Sequence, residues 1–391
     1  MQLLNERMKS MNMAGGLYDI YQKALKMEAE GKSIIHMEIG KPDFDSPVLA
    51  KEATIKSLND GFVHYTAMAG IPELRRAILE KESRANGIFF DPETEIVVTA
   101  GACEAIQALM LTVFNPGEAI LVPSPFFSAY SEAAHIAGVE VIEVPLRFEN
   151  EFELKAADLE AAITPNTKAV LINTPGNPTG AILGREELLK IADFAKRHDI
   201  MVFSDETYDQ FLYEGEHVSI STLPGMKERT VVINSASKVF SMTGWRVGYA
   251  IGPKELMRYV NKVHQNMSTC ATSFVQVGVA EAYLHGQAFT EGMVKEFKAR
   301  RDLMVKGLSA IPGFELVVPK GAFYMLPRIT KLGVSPRQFC MDLLDKTGVA
   351  TVPGDAFGNC GAGFIRLSYA VTRESIEDAM DRMKKYVEAN Y

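Results

Sequence analysis

The chain has 391 residues, 47% hydrophobic and 23% charged, and a formal net charge of −8. That length allows two or three domains around a large core, and the composition is that of a globular chain rather than a disordered one. The acidic balance, with no basic block, argues against a nucleic-acid partner, and no apolar run is long enough to span a membrane.

The N-terminal Met1-Gln-Leu-Leu-Asn-Glu-Arg7 lacks the apolar stretch of a signal peptide. Cys103, Cys270, Cys340 and Cys360 are scattered, with no Cys-x-x-Cys pair and no His pair nearby. Reduced thiols in a cytoplasmic protein are expected, and neither disulfides nor a metal site.

In chain order, Ser33–Ile39 is the first strand candidate. From about residue 50 to 285, short β-branched runs alternate with amphipathic helical patterns. The runs are Glu95–Thr99, Ala119–Val122, Ala169–Ile172, Ile200–Phe203, Val231–Ile233 and Val247–Ile251. Between them, Arg185–Lys196 repeats Leu188, Leu189, Ile191, Ala192 and Ala195 at the spacing of a helix that covers a sheet. Such alternation predicts an α/β domain with a mostly parallel sheet. Further on, Phe314–Val318, Ala322–Leu326, Val349–Val352 and Phe364–Ser368 read as strands among helices, and Ile376–Tyr386 as a closing helix. This predicts a smaller α+β domain that recruits the N-terminal segment. The expected division is 1–45 (arm and part of the small domain), 46–285 (large domain) and 286–391 (small domain).

Several strand ends carry polar groups, where open α/β sheets bind ligands. Ser235-Ala-Ser237-Lys238 follows the run Thr230–Asn234 and leads to Arg246, so Lys238 is expected in the loop at a strand's carboxyl end. A lone lysine is ordinarily a solvated surface charge. One held among apolar groups and near another cation becomes a nucleophilic amine suited to Schiff-base chemistry. The turn Gly101-Ala102-Cys103 joins a strand to a helix whose free N–H groups suit a phosphate, although it matches no nucleotide-binding pattern. Phe126 and Phe127 follow a strand and serve either core packing or stacking on a flat ring. Asn173–Gly180 is dense in turn formers. Asp205 and Tyr208 end another strand, where Asp205 suits either a helix cap or a protonated ring nitrogen. Arg366 lies inside an apolar strand, and a desolvated guanidinium there calls for a carboxylate.

Taken with Gly40-Lys-Pro-Asp-Phe-Asp45, His64-Tyr65-Thr-Ala-Met-Ala-Gly70-Ile-Pro-Glu-Leu-Arg75, Asn177-Pro-Thr-Gly180 and Ile365–Ser368, these segments resemble the class I and II aminotransferases. The likeness is to their gamma subgroup of aspartate, alanine and aromatic aminotransferases and runs from about Tyr18 to the C-terminus. The resemblance implies fold type I, a large domain with a mostly parallel seven-stranded sheet flanked by helices plus a smaller α+β domain. It implies pyridoxal 5′-phosphate as cofactor and a ping-pong transfer from an L-amino acid to a 2-oxo acid. Lys238 would bond the cofactor and move the substrate's α-proton. Asp205 would keep the pyridine nitrogen protonated, making the ring an electron sink. Tyr208 and Asn177 would hold its 3′-oxygen, and Phe127 would cover its face. Ser235, Ser237, Arg246 and Gly101-Ala102-Cys103 would hold its phosphate, joined by Tyr65 from the neighbouring subunit of a homodimer. Arg366, aided by Gly40 and Asn177, would bind the substrate α-carboxylate.

Three departures bear on the substrate and cofactor. The stacking residue is phenylalanine where relatives often have tryptophan or tyrosine, and Ala102 and Cys103 leave the phosphate turn without hydroxyls. No clear second arginine awaits a side-chain carboxylate, and Met13-Ala-Gly-Gly-Leu17 at the expected substrate entrance is small and uncharged. The expected donor is therefore a neutral or aromatic amino acid, with aspartate the alternative. A carbon–sulfur β-lyase of the same fold would use the same lysine, aspartate and arginine. A non-catalytic regulator is disfavoured because the likeness begins so near the first residue. A nicotinamide oxidoreductase is disfavoured by the lack of Gly-x-Gly-x-x-Gly.

Overall fold

The computed structural model describes residues 4–11 and 16–391. Met13, Ala14 and Gly15, part of the expected substrate entrance, lie outside the described residues. Among those described, the strands are β1 (Ile35–His36), β2 (Ile96–Thr99), β3 (Ala119–Ser124), β4 (Glu140–Pro145), β5 (Thr167–Asn173), β6 (Met201–Asp205), β7 (Thr230–Ser235), β8 (Gly248–Ile251), β9 (Tyr324–Met325), β10 (Val349–Ala350), β11 (Val352–Pro353) and β12 (Ile365–Ser368).

Seven of them form one sheet in the order β2-β8-β7-β6-β5-β3-β4. Its strands run parallel except β8, which lies antiparallel between β2 and β7. The central strands are buried along nearly their whole length, which is why they read as continuous apolar runs rather than alternating ones. Helix Arg185–Arg197 returns the chain between the parallel neighbours β5 and β6, and Ala102–Val113 carries it from the edge strand β2 across to β3; they cover the faces with Leu188, Ile191, Leu109 and Met110. None of the described helices is long and apolar enough to cross a membrane.

Register sets the site. Asn173 pairs with Asp205, Asp205 with Ile233, and Ser235 with Gly248. The carboxyl ends of β5, β6 and β7 therefore lie side by side, and Gly248 brings the end of β2 beside them through its pairing with Thr99. Gly248 is needed for contact: a Cβ there would lie 2.4 Å from the amide nitrogen of Ala102.

A second core joins the two ends of the chain. Ile20, Met27 and Met37 pack with Phe297, Phe323, Ile365 and Met383. Within it β1 pairs with β10, and β11-β12-β9 form a small antiparallel sheet.

Some expected elements differ. Phe314–Val318 is not a strand and makes only the isolated bridge Glu315–Arg328, since no neighbour offers a continuing register. Val349–Val352 divides at Thr351, because its first half pairs with β1 and its second with β12. Ala322–Leu326 shortens to β9, following Ala322 with φ 55°. Lys238 is not in a loop but in a single helical turn, Ala236–Val239, directly after β7. Strand β4 was not anticipated. It is the sheet's edge, so its residues are mostly half-exposed and its two glutamates break the apolar run.

Candidate active site

Residues from five strand ends and the small sheet meet above β5, β6 and β7. The Lys238 amine donates to the carbonyl of Gly40 at 2.6 Å. Burial lowers its pKa from 10.5 to about 8; Arg366 and Arg246 push the same way, against Cys103 and Asp205. In cofactor-free protein, acylation of Lys238 is therefore expected to rise with a midpoint near pH 8, read by mass spectrometry of the modified peptide. A midpoint above pH 10 would contradict that environment.

Asp205 is buried at the end of β6. One carboxylate oxygen accepts from the Thr207 N–H at 3.0 Å and the other from the Tyr130 hydroxyl at 2.6 Å. Its pKa is raised by burial, and these hydrogen bonds only partly offset the effect. Asp205 caps a turn, not a helix. Tyr130 was missed by the sequence reading, and so was its double duty: its ring also meets Phe127 edge-on, at 5.7 Å between centroids.

Tyr208 is buried and shares a hydrogen bond of 2.7 Å with Tyr324. Tyr324 in turn lies under the Arg366 guanidinium, 4.7 Å from ring centroid to carbon, with Phe357 at 4.6 Å. Gly40 is packed so closely on Tyr324 that a Cβ would fall 1.9 Å from its hydroxyl. Two carbonyls of one segment thus face the two cations, Gly40 toward Lys238 and Glu38 toward Arg366.

The turn from Asp205 to Tyr208 rests on a buried ionic group. Lys81 pairs with Glu82 and Asp209, and Asn86 donates to Asp209 at 2.7 Å. Glu206 accepts from Ser204 and Ser219, each at 2.7 Å, and pairs with His217 at 2.9 Å. No short motif signals this group, because Lys81 meets Asp209 only through the fold.

On the far side, Gly101 has φ 88° and the helix Ala102–Val113 begins after it. Arg246, also with positive φ, donates to the carbonyls of Ala100 and Thr243, each at 3.1 Å. A Cβ on Gly101 would lie 2.3 Å from that guanidinium. The Cys103 thiol adjoins the same charges, and its pKa is raised chiefly by burial. Ser235 and Ser237 are buried beside Lys238. Asn177 accepts from Arg366 at 3.3 Å. Phe127 is half-buried at the rim. Of the expected site residues only Tyr65 stands apart, 83% exposed on the surface.

Charges in this site are incomplete. Arg366 is 2% exposed, its Nε has no hydrogen-bond partner, and no carboxylate among the described residues forms a salt bridge with it. Arg246 is exposed at the edge of the site with only carbonyl partners, and the buried Asp205 lacks a cationic partner. Buried charges are costly unless paired. A ligand bearing a protonated ring nitrogen, a phosphate and an attached carboxylate completes all three. The residues present fit pyridoxal phosphate with an amino acid beside it.

A fold of this type with a lysine so placed leaves both transferases and lyases open, and comparison with known proteins supplies the family. The chain belongs to the family described as aminotransferase class I and II, whose model matches residues 32–383. It is 43% identical over 357 residues to aromatic-amino-acid aminotransferase 2 of Thermococcus litoralis, covering 90% of this chain and 92% of that one. It is 42% identical over 367 residues to an aspartate aminotransferase of Pyrococcus abyssi, covering 93% and 94%. Among solved structures, aspartate aminotransferase from Thermus thermophilus with maleate superposes with a TM-score of 0.94 at 37% identity, covering 98% of this chain and 100% of that one. The chain is thus an aminotransferase, and its family and fold imply pyridoxal phosphate as cofactor, with amino acids and 2-oxo acids as substrates.

Proposed function

We propose that the chain transfers the amino group of a neutral or aromatic L-amino acid to a 2-oxo acid, with pyridoxal 5′-phosphate held at Lys238. The observation that carries this reading is the set of three unpaired charges, Asp205, Arg246 and Arg366, arranged around one amine. When bound, the cofactor's pyridine ring takes up the electron pair left at the substrate α-carbon.

The chain's own residues do the rest. Arg366 binds the α-carboxylate through two parallel hydrogen bonds, with Asn177 and Gly40 beside it. Asp205 holds a proton on the ring nitrogen, and Tyr130 fixes its orientation. Tyr208 and Asn177 hold the ring's 3′-oxygen, and Phe127 covers a face. Gly101, Ala102, Cys103, Ser235, Ser237 and Arg246 hold the phosphate. Lys238, with a pKa of about 8, both takes and returns a proton near neutral pH, as a general acid–base must.

The donor reading is supported by a cavity of about 470 Å³ that Arg366 lines together with the N-terminal segment and, at its other basic positions, His135 and Arg337. Phe126, Phe127, Phe357 and Leu17 give it apolar walls, while Glu132, Glu143 and Asp355 would repel a second carboxylate. Arg337, at the rim, is paired with Asp19 at 3.3 Å. Initial rates with a common 2-oxo acid acceptor test this. Phenylalanine or tyrosine is expected to exceed aspartate in kcat/KM by about tenfold or more, the scale of one unfavourable buried charge contact. Aspartate as the better donor would overturn the assignment.

Tyr65 supports a homodimer in which it reaches the partner's phosphate. It projects beside the exposed Phe62 and Val63, near a helix (Val48–Asn59) with Val48, Ile55 and Leu58 outward. Monomeric proteins rarely leave such a patch uncovered. The division at about residues 45 and 285 is supported by the core that the N-terminal segment shares with the C-terminal part.

A further inference from the structure

Between the phosphate turn and the helix Lys254–Ser268 lies a buried carboxylate that the roles above leave unused. Glu104 occupies the first turn of the helix Ala102–Val113. One of its oxygens turns back to accept the backbone N–H of Ala100 at 2.5 Å. The other accepts from His264 Nδ1 at 2.8 Å and from the Ser268 hydroxyl at 2.6 Å. The carbonyl side of this short segment is held too, because Arg246 donates to the Ala100 oxygen. The strand-to-helix turn is therefore clamped on one edge by Glu104 and on the other by Arg246.

A carboxylate in the first turn of a phosphate-binding helix is electrostatically awkward, since it repels the ligand that the helix attracts. A glutamate at the third position of a helix ordinarily reaches back to an N–H at the helix start. Here that N–H is Ala100's, and the carboxylate is held from a second helix as well, by His264 and Ser268. Burial alone would raise the pKa of Glu104, yet the hydrogen bonds from His264, Ser268 and Ala100 outweigh it and keep the pKa below the usual range. His264 is fully buried and directs one ring nitrogen at Glu104. Both oxygens are thus engaged outside the Gly101-Ala102-Cys103 turn, by the Ala100 N–H, His264 and Ser268. The chain has no side-chain hydroxyl at Ala102 or Cys103, so those amides carry more of the phosphate binding than they otherwise would.

We propose that Glu104, fixed by His264 and Ser268, is a positioning residue that sets the Gly101-Ala102-Cys103 turn for the cofactor's phosphate. It touches no cofactor atom itself and acts through the Ala100 peptide. The proposal rests on the reading that this turn holds the phosphate.

The test compares pyridoxal phosphate with pyridoxal, which has the same ring and aldehyde but no phosphate, binding to cofactor-free protein by absorbance titration. Glu104→Ala is expected to weaken pyridoxal phosphate about tenfold, the value of a buried hydrogen bond with its desolvated partner left open. Pyridoxal affinity should stay within about twofold, the scale of an unaffected ring contact. Glu104→Gln keeps an acceptor and removes the charge, so it should hold the phosphate at least as tightly as wild type. Ser268→Ala, at an exposed position, should shift the phosphate preference in the same direction as Glu104→Ala and less far; it keeps the test available where the alanine at 104 does not fold. An equal loss for both ligands overturns the proposal, as do tighter phosphate binding by both Glu104 variants and no change in Ser268→Ala. A wild-type chain with no preference for pyridoxal phosphate over pyridoxal overturns it together with the reading of the turn. A preference in wild type that the variants keep overturns the proposal alone.

Discussion

Lys238→Ala is expected to abolish amino-group transfer, with kcat lowered by more than about a thousandfold, the range over which a positioned acid–base contributes. The protein should still fold. Lys238 is partly buried, it donates a hydrogen bond to the Gly40 carbonyl, and its removal breaks no salt bridge among the described residues. Circular dichroism and a melting temperature within a few degrees of wild type would establish that the loss is chemical. Because its amine is depressed to about 8 by burial, no surface lysine in this chain is a ready substitute. Added ammonia or a small primary amine should restore a measurable fraction of the proton transfer. A purified Lys238→Ala protein that turns over normally would remove the lysine from the chemistry.

Arg366→Ala has the second-largest expected effect. Its guanidinium is buried between Tyr324 and Phe357, with Nη groups on Asn177 and the Glu38 carbonyl and a bare Nε. If substrate supplies the missing carboxylate, as proposed, the alanine variant should lose about a hundredfold in kcat/KM for every amino acid donor and 2-oxo acid, the value of a bidentate charged pair. Most of this should appear in KM, because the carboxylate is held equally before and during the reaction. Arg366→Lys should recover only part, since an ammonium restores the charge without the planar fork. Unchanged kcat/KM for all α-carboxylate substrates would place the carboxylate elsewhere.

The proposed roles of Asp205, Lys238 and Arg366 were legible because each of these residues ends, follows or interrupts a buried strand. Asp205 and Lys238 follow runs that cannot be surface segments, and Arg366 sits among Ile365 and Leu367, which are fully buried. Parallel topology then dictates that such ends gather on one edge of the sheet. What could not be read were contacts made by pairing across the fold. Tyr130 lies 75 residues from Asp205, and Tyr324 lies 116 from Tyr208. Both looked like ordinary core aromatics, and nothing local distinguishes a buried tyrosine with an apolar neighbour from one with a carboxylate. The small domain was harder than the large one for a related reason. Its strands are two to four residues long, too short to establish a period, and the break at Thr351 depends on which partner each half meets. Edge strand β4 failed for the opposite cause, since partial exposure admits the glutamates that disguise it.

The most direct measurement is a half-reaction. The purified protein, loaded with pyridoxal phosphate, is mixed with a single L-amino acid and no acceptor, and the products are separated and counted. Amino-group transfer at one site per chain predicts one equivalent of the matching 2-oxo acid, one equivalent of pyridoxamine phosphate and no free ammonia. Phenylalanine or tyrosine should complete this at lower concentration than aspartate. With cysteine as the amino acid, continued release of pyruvate, ammonia and sulfide beyond one equivalent, with the cofactor unchanged, would contradict the account and make the chain a lyase.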